Sequence, residues 1–165
     1  MPDARSGNCN GRTQGGSNAE IVIADAFVKG LPNIDYHLAL EAMLKDATIP
    51  PGGNEEAEGR GGLIPYLELG YIPYGIPRAG NRTIEYSYCD YTIALVAKGL
   101  GKTDLYQQYL KQSSNWKNLW RADYEHAGVK GFILPRDKEG NWLDKIPFGN
   151  SHIQKPTFTY TPRYL

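Results

Sequence analysis

The sequence predicts a mainly helical chain: part of an α/α toroid of alternating inner and outer helices, with a hairpin-containing loop region at its C-terminal end. Three observations carry this. Two segments, 17–29 and 83–98, are apolar on nearly every face, as buried helices are. Each is followed by a segment with a single apolar stripe, 34–47 and 103–120, as helices facing water on one side are. From Ala122 onward the helical period gives way to apolar–polar alternation around a charged, glycine-containing turn. A helical solenoid would also alternate helices, but its repeats would be more alike than these two pairs.

The organisation in order is a loop over 1–16, a helix pair over 17–47, a long Gly/Pro loop over 48–80, a second helix pair over 81–120, and a hairpin with an irregular tail over 121–165. Ser17-Asn18-Ala19-Glu20 has the spacing of a capping box and opens the first helix, which Gly30 stops. In the second helix Tyr36, Leu40, Met43 and Ala47 share a stripe, and His37 lies off it in solvent. The connection that follows holds Pro50-Pro51-Gly52-Gly53, Gly59-Arg60-Gly61-Gly62 and an aromatic turn at 65–71. Its density of Gly and Pro among aromatics predicts an ordered loop crossing a site. Without a flanking strand and helix, the glycine run is not a nucleotide loop. Gly99 and Gly101 stop the third helix, and Thr103 caps the fourth, with Asp104 in its first turn.

Composition narrows the function. A length of 165 residues suits one domain with a real core. Eighteen basic residues balance eighteen acidic ones, which leaves no electrostatic case for nucleic acid. No apolar run approaches a membrane span, and none follows Met1-Pro2-Asp3-Ala4-Arg5 as a signal peptide would require. Cys9 and Cys89 are too few and too distant for a disulfide framework or a zinc site, and are expected to be plain thiols. Twelve Tyr and three Trp against four Phe is an aromatic set with polar handles, suited to a wet pocket such as a sugar site.

The candidate site is organised around the stretch from Gly80 to Tyr91, where an otherwise apolar helix keeps Glu85 and Asp90. Burying an unpaired carboxylate is costly, so both need partners, water or a ligand. They are five residues apart and point to different sides, so one of them is expected to be structural. Arg82, three residues before Glu85, either holds a ligand hydroxyl or pins Glu85, with pinning favoured. Asp25 is either a satisfied core carboxylate or a site residue. Arg60 and Glu58 either rim the site or hold the loop. Trp142 and Tyr86 either stack on a sugar face or pack in the core.

Several motifs in order resemble the catalytic domain of glycoside hydrolase family 92, the calcium-dependent α-mannosidases, in its fungal form. They are Gln14-Gly15-Gly16-Ser17-Asn18-Ala19 with Ile23-Ala24-Asp25-Ala26, Glu58-Gly59-Arg60-Gly61 with Leu67-Glu68-Leu69-Gly70-Tyr71-Ile72-Pro73, and Arg82-Thr83-Ile84-Glu85-Tyr86-Ser87-Tyr88 with Asp90-Tyr91. The resemblance implies an (α/α)6 toroid preceded by a β-sandwich. It implies exo-hydrolysis of α-mannosides, often the α-1,2 linkages of N-glycans, by inversion: one carboxylic acid protonates the leaving oxygen while a carboxylate directs water to the opposite face. It also implies calcium on the sugar hydroxyls, and relatives that are commonly secreted.

By the same resemblance the chain reads as an internal fragment, with no catalytic residue of its own. The general acid and base are expected beyond Leu165, the calcium ligands outside the chain, and the missing segments as its partner. Substrate contacts carry over to Asp25, Arg82, Glu85, Asp90 and Arg60. Bacterial relatives are expected to have Asp where Cys89 stands, so that position receives no role. Asp25 and Glu85 acting as an acid–base pair on another α/α scaffold is a further reading, which their separation would decide. A non-catalytic helical module binding a glycan or a protein is the alternative function.

Overall fold

The computed structural model describes residues 18–52 and 59–143. These residues form α1 (Ala19–Val28), α2 (Tyr36–Thr48), α3 (Leu63–Leu69), α4 (Ala79–Gly99), α5 (Thr103–Gln112), a 3-10 turn (Asn115–Leu119) and a two-stranded antiparallel sheet, β1 (Trp120–His126) with β2 (Val129–Ile133). The protein is mainly helical with one small sheet. No helix among the described residues is long and apolar enough to cross a membrane.

α4 is the centre: α1, α2, α5 and the 3-10 turn all pack on it. Its two halves bury different chemistry. Around the C-terminal half, Ile93, Ala94, Val96 and Ala97 join Leu40, Met43 and Ala47 of α2, Ala24 of α1 and Tyr109 of α5 in an aliphatic core. Around the N-terminal half, Ala79 and Tyr86 pack with Leu63, Tyr66 and Ile72, beside buried Arg82, Thr83, Ser87 and Asp90. At the far end, Gly99 lets α1 approach: a Cβ there would run into the Phe27 ring.

α4 begins earlier than the glycine at position 80 suggests, because its first turn is stitched to the preceding chain. The Thr83 hydroxyl donates to the Ala79 carbonyl at 2.8 Å and accepts the Ile72 N–H at 2.9 Å. The long loop is likewise interrupted. Where a turn was expected at 65–71, α3 forms, bracketed by Gly62 and Gly70, both at φ 74°. Pro65 lies in its first turn, where an amide has no intrahelical acceptor to lose.

α1 differs from the expectation of burial on every face. It buries Glu20 and Ala24, while Val22 and Val28 are 68% and 69% exposed. It packs on α4 by one face, and no described residue covers the other. Glu20 turns inward onto Arg60, and the capping box expected of Ser17 and Glu20 involves Ser17, which lies outside the described residues. α2 starts at Tyr36 because the Asp35 carboxylate accepts the Leu38 N–H at 3.0 Å.

The fourth helix is shorter than its stripe implies. It ends at Gln112, where the Ser113 hydroxyl turns back onto the Leu110 carbonyl at 2.7 Å. Trp116 and Leu119 continue in the 3-10 turn, and Trp120 already belongs to β1. The hairpin exists one turn upstream of the expected position. β1 and β2 are joined by Ala127 and Gly128, at φ 51° and 79°, the two left-handed residues of a tight hairpin turn. The charged segment instead closes a single bridge, Arg136 to Trp142, in which the Asn141 N–H donates to Asp137 Oδ1 at 2.8 Å.

Candidate functional site

The polar residues of α4 are met from above by the glycine loop. Gly59 at φ 53° and Gly62 at φ 74° take left-handed backbone on either side of Arg60 and Gly61, which lets the loop press its arginine inward. The Arg60 side chain is fully buried. Its Nη1 donates to Asp90 Oδ1 at 2.7 Å, and its Nη2 to Glu20 Oε1 at 3.3 Å. The guanidinium lies 5.2 Å from the centroid of the Tyr86 ring. Tyr66 from α3 donates its hydroxyl to Asp90 Oδ2 at 2.7 Å, and Tyr86 donates to the Gly61 carbonyl at 3.0 Å. One arginine thus joins α1, the glycine loop and α4, with α3 attached through Asp90.

The electrostatics keep this cluster inert. Burial alone would lower the Arg60 pKa, but the Asp90 and Glu20 carboxylates outweigh it and hold the guanidinium cationic. Burial, then the Asp90 charge, pushes the Tyr66 phenol well up. Burial likewise pushes up the Tyr86 phenol and, with help from Glu20, the Cys89 thiol. These groups stay protonated at ordinary pH and offer neither nucleophile nor base. The cluster ties α1, the glycine loop, α3 and α4 together.

Glu85 is different. It is half-buried one turn before Cys89, its carboxyl is raised by desolvation alone, and it forms no side-chain hydrogen bond or ion pair with any described residue. Pinning by Arg82 is therefore not found: Arg82 is buried, and no ion pair joins it to Glu85 among the described residues. Asp90 is the structural one of the two carboxylates. Arg60 is a buried loop-holder and not an exposed rim.

Asp25 is corrected as a core carboxylate. Its side chain is 60% exposed and paired with Lys29 at 2.7 Å, because α1 turns this face outward. Tyr86 is fully buried, so stacking on a sugar gives way to packing edge-on against Tyr66. Trp142 is half-buried, with the guanidinium groups of Arg136 and Arg121 at 4.8 Å and 5.7 Å from its ring. Glu58 lies outside the described residues. Two members of the cluster are not predicted from sequence, Glu20 and Tyr66. Glu20 carried a signal, an acid in an otherwise apolar helix, which its capping spacing explained away.

The calcium that the resemblance implies finds no fit among the described residues. No group of three or more His, Cys, Asp or Glu side chains is placed to hold a metal ion there. The two buried carboxylates, Glu20 and Asp90, are committed to Arg60.

The profile described as the glycosyl hydrolase family 92 catalytic domain matches residues 1–161. The chain belongs to this family. An uncharacterized secreted glycosidase from Arthroderma benhamiae is 44% identical over 169 residues, which cover 93% of this chain and 22% of that protein. A solved family 92 inverting mannosidase from Bacteroides thetaiotaomicron VPI-5482 superposes with a TM-score of 0.77 at 32% identity, over 94% of this chain and 20% of its own. A family 92 α-mannosidase from Bacteroides thetaiotaomicron, solved in complex with mannoimidazole, gives 0.66 at 32% identity, over 81% of this chain and 16% of its own. This chain therefore spans a minor part of each relative's length. Within the family 92 match lie the glycine loop, α3 and α4 together, so the Arg60 cluster is part of the family's catalytic domain.

Proposed function

We propose that this chain forms part of an exo-acting, inverting α-mannosidase for α-1,2-linked mannosides of N-glycans, and that α4 walls the mannoside site. In this reading α1 and α4 are inner helices of an (α/α)6 toroid, and α2 and α5 are outer ones. The observation that carries it is the contrast along α4. Asp90 is locked to Arg60 and Tyr66, whereas Glu85 stands half-buried with its oxygens uncommitted among the described residues. A carboxylate accepts several hydroxyl donors in fixed directions, which suits a sugar. Arg82, three residues earlier, supports the same wall.

Inversion requires an acid and a base on opposite faces of the sugar, with room for water between them. Both are assigned outside this chain, as are the calcium ligands, so the isolated chain binds without cleaving. Two measurements test this. Incubation with α-1,2-mannobiose and calcium is expected to release no mannose, and release would overturn the assignment of acid and base. Titration with methyl α-mannoside, followed by NMR, is expected to perturb Glu85 and its neighbours, and to lose that response in Glu85→Gln. A protein-binding helical module is the second reading, favoured by the exposed Val22, Val28 and Leu38 of α1 and α2. It is the outcome if the titration shows no response.

A further inference from the structure

We propose that Arg60 is a positioning residue for the mannoside wall: by gripping Glu20 of α1 and Asp90 of α4 together, it sets the rotation of α4 and so the place of Glu85. The inference rests on the mannoside reading above. Its geometry stands on what fixes each half of α4. The C-terminal half is held by the aliphatic core with α2 and α5. The N-terminal half packs Ala79 and Tyr86 against Leu63, Tyr66 and Ile72, a cluster that includes no residue of α1, α2 or α5, and the Arg60 grip ties this half to α1. At that end of α1, Glu20 is the buried residue, with Ala24 one turn on.

The fork matters as much as the charge. A guanidinium presents separate N–H groups to two carboxylates at once, and here one nitrogen serves each helix. A lysine ammonium in the same place keeps the charge, but its three donors radiate from one nitrogen, so it lacks the separated pair of nitrogens that serves the two helices here. Glu85 and Asp90 share one rigid helix, roughly 7.5 Å apart along its axis at 1.5 Å per residue. A turn of α4 about its axis that relaxes the Asp90 grip therefore carries Glu85 with it. Cys89, fully buried between them, feels Glu20, Arg60, Asp90 and Glu85 together, so it reports on the same movement.

The test compares Arg60→Lys with Tyr66→Phe in the full chain. Tyr66→Phe removes a hydrogen bond from the cluster and leaves the Arg60 grip intact. Arg60→Lys is expected to melt cooperatively, to weaken methyl α-mannoside binding at least about tenfold as the fork is lost, and to speed alkylation of Cys89 by iodoacetamide under native conditions. Tyr66→Phe is expected to lower the melting temperature while weakening the binding much less than Arg60→Lys does. Equal loss of affinity in both variants would reduce the cluster to general stability and overturn the inference, as would a folded Arg60→Lys with wild-type affinity. Where Arg60→Lys does not fold, Asp90→Asn, which keeps an acceptor for Tyr66, is measured against the same two outcomes. Failure of the mannoside reading is distinct, since the wild-type chain then gives no response. In that case the NMR titration midpoint of the Glu85 carboxyl decides: it falls toward its ordinary value in Arg60→Lys if Arg60 positions Glu85, and an unmoved midpoint overturns the inference.

Discussion

Asp90 accepts from Arg60 through one oxygen and from Tyr66 through the other, all three buried. Asp90→Ala would leave the guanidinium in the interior with one carboxylate fewer. Removing one partner of a buried pair costs about 3–5 kcal/mol, because the remaining charge keeps its desolvation penalty. Urea denaturation should show a loss of that size, and a loss typical of a surface pair would contradict the burial. Glu85 predicts the opposite sign. Its carboxyl is raised by desolvation, so the folded state binds its proton more tightly than the unfolded chain. Its contribution is therefore present at acid pH and lost as pH rises through the folded pKa. Glu85→Gln is expected to raise the urea midpoint at pH 7 and not at pH 4. The divergence of Glu85 and Asp90 was legible in their spacing. The partner of Asp90 was not, because Arg60 is thirty residues away and pattern reading sees only neighbours.

At the scale of elements, local chemistry and long-range contacts divide the outcome. The stripe and the stop of α2 were legible because both are local, while its start falls at Tyr36 and not at the expected position 34, because the Asp35 carboxylate caps the Leu38 N–H. Asp35→Ala should cost about 1 kcal/mol, measured by thermal or urea unfolding, with the helix fraying toward Leu38. α1 misled because an apolar residue says only that burial is available. Val22 and Val28 remain exposed because no described residue meets them. α5 ended early because the Ser113 hydroxyl competes for the backbone. The hairpin was misplaced because two turn-forming segments lie ten residues apart, Ala127-Gly128 and Asp137-Gly140. The Gly131 position favours the first: a Cβ there would strike the Trp120 ring, so β2 is cut to receive that indole.

At the scale of the molecule, the order of motifs over nearly the whole chain carried the family, which no single motif could. The helical class was legible too, but how the helices close around a site depends on contacts beyond this chain's own pattern. One whole-molecule property follows directly from the surface. Val22, Val28, Leu31, Ile34 and Leu38, all on α1, α2 or the link between them, are between 42% and 69% exposed. Exposed apolar side chains promote association where they adjoin. Sedimentation is expected to show concentration-dependent self-association, reduced in Val22→Glu with Val28→Lys while the melting temperature holds. An unchanged distribution in that double variant would mean these side chains are not the contact.

The Thr83 hydroxyl ties the amide of Ile72 to the first turn of α4. In terms of hydrogen exchange, two segments eleven residues apart become one opening unit. The Ile72 amide can meet solvent when that turn unwinds, and its protection should match that of the Thr83 and Ser87 amides instead of the exposed end of α3 beside it. Thr83→Val keeps the shape and removes the link. Exchange at Ile72 should then quicken by itself, while the amides around Ile93 keep their protection.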